Sequence, residues 1–278
     1  MNKKSIFWLL MLLWLPIDAN ASKDYPWLEH YNDNHAIVNR IAVPPGFDRV
    51  PVATDSFANW LRHLPLKPGK PPVHLYNGRK KGNQSAHHAV IDVDVGNRDL
   101  QQCADAVIRL RAEHLYSKGN YDAIHFNFTS GDEAAYKKWI RGYRPLVRGN
   151  QVKWRKKRRY DKSHRTFRKY TNTVFMYAGS YSLSQELKSV KNINQMKIGD
   201  IFIKGGFPGH AVLVVDMVIH NTTGKKLFLL AQSYMPAQDV HILVNPTNDT
   251  LSPWYELDFG ETLDTPEWVF SHKQLKRF

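Results

Sequence analysis

The sequence predicts an α+β fold, a central mainly antiparallel sheet with flanking helices, and three observations carry that expectation. Residues 99–116 repeat apolar side chains at helical spacing. Residues 89–95 alternate apolar and polar side chains as a half-buried strand does. Residues 201–204, 210–216 and 226–233 are apolar runs, the last two folding about the turn Asn221-Thr222-Thr223-Gly224 as a hairpin. A chain of 278 residues is long enough to close one large core.

The first element is a secretory signal: Lys3 and Lys4 form its positive end, residues 6–17 its apolar core and Ala19-Asn20-Ala21 its cleavage site. That apolar core is shorter than the roughly 20 residues a bilayer span needs. The expected organisation is therefore a signal peptide over 1–21 and a single α+β domain over 22–278. The domain is exported to the periplasm or beyond and keeps no stable membrane span after cleavage.

Pro44-Pro45-Gly46 marks a turn, and Ser56 caps a short helix in which Phe57, Trp60, Leu61 and Leu64 share a face. Prolines 65, 68, 71 and 72 impose an extended connector. Strands are expected over 72–76 and 89–95. In the second, Asp92 and Asp94 fall on one face near His87 and His88; this set could hold a metal or share a proton, and a solvated outer face gives the same alternation.

Asp99 is the expected cap of the 99–116 helix, which places Cys103 on its apolar stripe, three residues after Leu100. A strand over 121–129 and a helix over 133–141 follow. Lys153-Trp154-Arg155-Lys156-Lys157-Arg158-Arg159-Tyr160, continued by Lys162, Arg165, Arg168 and Lys169, is the strongest charge run and reads as a surface loop or ribbon. In residues 174–188, Ser180 or Ser182 caps a helix, with Gln185 completing a capping box.

The formal charge of +14 favours anionic partners. For an exported chain the expected partner is a cell-envelope polymer or peptide rather than nucleic acid. The single cysteine excludes an internal disulfide framework and a thiolate-rich zinc site, and no cofactor is expected.

His210, preceded by Gly205-Gly206-Phe207-Pro208-Gly209, opens an apolar strand, where an imidazole can be held rigidly and still meet solvent. Alternation places Asp216 on its face, but six residues of strand set it roughly 20 Å away. The hairpin instead brings Gln232, Ser233 and Tyr234 within reach, and Gln232 is the expected orienter of the ring. The nucleophile could be Cys103 or Ser180, or the site could bind without cutting. The expected catalytic set is Cys103, His210 and Gln232.

A helix with a nucleophile at its start, a Gly199-Asp200 strand, a Gly209-His210-Ala211 strand and the strand Leu229-Leu230-Ala231-Gln232-Ser233 resemble the papain-like peptidases of the NlpC/P60 type. That resemblance covers residues 177–236 and implies a cysteine peptidase or amidase acting on envelope material, or its inactive relative. The chain departs from the pattern at Gly179-Ser180, where a cysteine would stand. At whole-chain scale the sequence is similar to the bacterial exported family domain of unknown function 4846. The similarity lies in residues 99–106, 177–180, 199–216 and 231–238, and implies export without a reaction. The rival reading is a non-catalytic module that binds an anionic envelope polymer through Arg155 to Lys169.

Overall fold

The computed structural model describes residues 21–278, so the expected signal peptide lies, but for Ala21, outside the described residues. The fold is α+β. Nine strands make the main sheet: β1 (Phe47–Arg49), β2 (His87–Val90), β3 (Lys188–Ser189), β4 (Ile201–Lys204), β5 (His210–His220), β6 (Lys226–Gln232), β7 (His241–Leu243), β8 (Tyr255–Glu256) and β9 (Leu275–Arg277). Their order is β2-β7-β6-β5-β4-β9-β3, with β1 added to β5 and β8 to β6. Every pairing is antiparallel.

Strands β5 and β6 are continuous apolar runs because both faces of the sheet are covered. One face carries α1 (Phe57–Arg62) and α2 (Cys103–Ser117), both packed on β5. The other carries an aromatic layer in which Phe228, Phe259 and Phe270 lie 5.9–6.2 Å from Phe202, centroid to centroid, and Phe228 lies 6.4 Å from Phe259. A bulge between Leu229 and Leu230 shifts the register, so Leu230 opposes Val214 while Leu229 opposes Asp216. It moves Asp216 off the face of His210 that simple alternation gave it. Asp216 is fully buried on the helical face, held by Arg49 at 2.8 Å and Arg62 at 2.7 Å.

Several expected elements are displaced. Helix α2 begins at Cys103 with Gln102 as its cap, four residues later than expected. Asp99 instead accepts hydrogen bonds from the Ala237 amide (2.7 Å) and Gln102 Nε2 (2.9 Å), pinning the loop after β6 to the helix start. Residues 72–76 make only isolated bridges, and the 89–95 strand is shortened to β2. Asp94 is no free partner of Asp92: it pairs with Arg109 (3.3 Å) and Arg168 (3.0 Å). Among the described residues no three His, Cys, Asp or Glu side chains converge as metal ligands. Strand 125–127 pairs with 133–135, the start of the expected 133–141 helix, which leaves α3 only Tyr136–Ile140.

The element missing from the sequence reading is α4 (His164–Tyr177). Ser163 caps it, accepting from the Thr166 amide at 3.3 Å, and Phe167, Tyr170, Thr171 and Val174 form its buried stripe. The end of the basic run, Arg165 and Lys169, is therefore the outer face of an amphipathic helix. The larger part before it is the second strand of the hairpin 143–148/151–156 and the turn that follows. Helix α5 (Ser180–Glu186) is capped by Gly179 rather than by a serine; Ser182 Oγ accepts from the Gly179 amide at 3.1 Å.

Candidate active site

His210 is the first residue of β5 and is buried beneath Tyr234, Trp268 and Phe270, whose ring centroids lie 4.8, 5.3 and 5.9 Å from its own. Gln232 ends the neighbouring strand, and its Oε1 lies 2.8 Å from His210 Nε2. The direction of that bond follows from the groups behind it. His241 Nδ1 lies 2.8 Å from the Asp239 carbonyl and must donate to it, which leaves His241 Nε2 an acceptor. Gln232 Nε2 sits 3.4 Å from that acceptor and 2.9 Å from Glu267 Oε2, so it is the amide's donor end. Oε1 therefore accepts from His210 Nε2–H. Lys81 closes the chain by pairing with Glu267.

This wiring leaves His210 Nδ1 with its lone pair and no hydrogen-bond partner among the described residues. Burial pushes the imidazole down to about 4, outweighing the upward pull of Gln232 and Glu267. The ring is neutral at pH 7 and presents a base at Nδ1.

Cys103 reaches the same place from the other face of the sheet. It is the first residue of α2, and Ser233 Oγ, donating to the Gln101 carbonyl at 3.0 Å, fixes the helix start to the end of β6. The backbone amides of Ala104, Ala211 and Cys103 itself point at the thiol and favour its thiolate. Burial and the Asp105 carboxyl win, pushing the thiol up to about 11. Ala211 follows His210 directly, and consecutive Cα atoms stand about 3.8 Å apart. The thiol therefore meets the peptide that follows His210 from the helical side of the sheet, while the imidazole lies on the aromatic side and does not line the open space over the thiol. Burial pushes the phenol of Tyr234, in ring contact with His210, up.

A cleft of about 370 Å³ opens over Cys103, walled by the first turn of α2, the end of α4, Gly179-Ser180 and the 206–209 loop. Its rim is apolar and exposed: Phe207 is 97%, Met235 47% and Met176 40% accessible. Its lining holds two acids, Asp99 and Asp105, and no basic side chain, and burial pushes the Asp105 carboxyl well up. Gly209 is required by close approach, since an added Cβ would overlap Ser180 Oγ. Ser180 donates that hydroxyl to the Gly206 carbonyl at 3.2 Å, so it lines the cleft without meeting a base.

The chain carries the pattern described as domain of unknown function (4846) over residues 37–277. It belongs to that family. No curated protein and no solved structure matches it. The family description assigns no reaction, so the chemistry of this member rests on the site itself. The structure brings together His210 and Gln232 by hydrogen bond, and brings Cys103 to the Ala211 amide with no hydrogen bond to His210 or Gln232 among the described residues. Sequence reasoning missed Glu267 and His241, which meet Gln232 across 35 and 9 residues of chain, and Lys81, which meets Glu267 across 186; none shares a local motif with its partner.

Proposed function

We propose that this protein is a papain-like cysteine hydrolase, a peptidase or amidase acting on cell-envelope material, with Cys103 as nucleophile, His210 as base and Gln232 as the residue that positions the imidazole. The observation that carries the reading is the directed chain Glu267, Gln232, His210. It fixes one tautomer and leaves Nδ1 unprotonated beside the amide that touches the thiol. In this scheme Nδ1 takes the Sγ proton as sulfur attacks the substrate carbonyl carbon. The C–N bond then breaks, the leaving nitrogen takes the proton from the imidazolium, and water hydrolyses the thioester through the same base. The first turn of α2 supplies amides and a helix dipole to the developing oxyanion.

Both partners start neutral, a thiol near 11 and an imidazole near 4, so proton transfer accompanies attack rather than preceding it. Export, and with it an envelope substrate, rests on the signal-like segment at the N-terminus. The test is cleavage of muropeptides and short peptides by purified protein. Cys103→Ala and His210→Ala should each lower kcat/KM by about 10²-fold or more, in protein that circular dichroism shows to be still folded. Activity within tenfold of the parent in either variant would sink the assignment.

A further inference from the structure

A second concave site lies on the opposite chemistry. Where the 143–148/151–156 hairpin turns back over α3 and α4, a groove of about 590 Å³ is bordered by Arg144, Lys157, Arg158, Arg159 and Lys169. Among the described residues none of these five is in an ion pair. The one acid lining the groove, Asp161, is already engaged: its carboxylate accepts from the Ser163 amide at 2.8 Å and from the Thr166 hydroxyl at the start of α4. Those bonds hold it down to about 2, so it stays ionised and committed to the helix.

The basic segment is built in place. The amides of Lys157 and Arg158 both donate to the Gly142 carbonyl, at 2.9 and 3.1 Å, and the Asp161 amide donates to Ile140 at 2.9 Å. Gly142 has φ +92, and any Cβ there would overlap the Arg158 carbonyl. Only glycine lets the chain pass so close. Arg144 stacks on Trp139, its guanidinium carbon 3.8 Å from the ring centroid, while its Nη1 donates to the Trp139 carbonyl at 2.8 Å. That stacking covers the ring on which a base would otherwise lie.

We propose that this groove is a binding site for a linear phosphate polyanion, held through its backbone charge and not through bases. Five cations fixed around one channel, with guanidinium forks that match phosphate oxygens, suit a repeating anion. With Trp139 occluded, Tyr160 is the one exposed ring lining the groove, which disfavours a ligand that stacks successive bases. This site is separate from the Cys103 cleft and does not depend on that cleft being catalytic.

The test is titration of the full chain with long-chain inorganic polyphosphate across a range of salt. Affinity should fall linearly in log–log form with salt, and Arg158→Ala/Arg159→Ala/Lys169→Ala should weaken binding on the order of tenfold or more at low salt and flatten that slope. A control triple on an exposed surface, Lys70→Ala/Arg79→Ala/Lys80→Ala, should change affinity less than twofold. Equal losses in both triples would reduce the groove to diffuse charge and overturn the proposal. So would tighter binding of a single-stranded oligonucleotide of equal charge, with the excess removed by Tyr160→Ala, since the ligand would then be read by its bases.

Discussion

The cleft over Cys103 and the groove beside Arg144 are built on opposite terms. At and behind the cleft, Cys103 at a helix start and His210 at a strand start are buried, and desolvation drives both toward their neutral forms. In the groove Lys157, Arg158, Arg159 and Lys169 stand exposed around a channel, with Arg144 half-buried against Trp139. Burial gives directed hydrogen bonds and a defined tautomer, as in the Glu267-Gln232-His210 chain. Exposure gives long-range attraction with little geometry. A net charge of +14 therefore says nothing about the cleft, whose lining holds two acids and no basic side chain.

The sharpest way to break the contrast is the thiol. Cys103 is the only cysteine, so alkylation reports it alone. With a pKa near 11, the iodoacetamide rate should climb about tenfold per pH unit, roughly a hundredfold between pH 7 and 9. A fast, pH-independent rate would mean a resting thiolate–imidazolium pair and would erase the difference in burial drawn above.

A second effect concerns stability in acid. His210 titrates near 4 and His241 near 3 in the folded state, both below the usual 6.5. Below pH 6.5 the unfolded chain takes up protons that the folded chain refuses. Stability from these two rings is thus fully present above pH 6.5 and lost as the pH falls toward 4, by a few kcal/mol in all at about 1.4 kcal/mol per unit. Urea midpoints between pH 7 and 4.5 would show it. A His210→Phe/His241→Phe variant with the same acid loss would assign the loss to other groups.

The smallest expected effect lies in the groove. Gly142→Ala should shift the 157–159 segment and lower polyphosphate affinity a few-fold, with peptide cleavage unchanged. Unaltered affinity would show that the cations act without the geometry that fixes them.

Much of the fold is legible in the sequence because it rests on local patterns. Ser56 caps α1 as expected, accepting from the Asn59 amide at 3.1 Å, and the turn at 221–224 sets the β5–β6 hairpin. That hairpin is also why the Gln232 to His210 contact could be foreseen: antiparallel register converts a count of residues into a position. The start of α2 was less legible. By type Asp99 is the better cap than Gln102, and its engagement by the Ala237 amide, 138 residues away, overrides that preference. Helix α4 was hidden because dense charge on its outer face masks a stripe of only six buried side chains.

By itself, then, the sequence determined an α+β chain with an antiparallel sheet, a histidine opening a buried strand and a glutamine opposite it. These follow from propensity, alternation and turn chemistry, which act within a few residues. Only the tertiary structure decided that Cys103 starts its helix at the peptide beside His210, that a bulge sends Asp216 to two arginines, and that Glu267 and Lys81 stand behind Gln232. Each of those depends on which distant segments share a face. Packing and register fix that, and no local pattern encodes it.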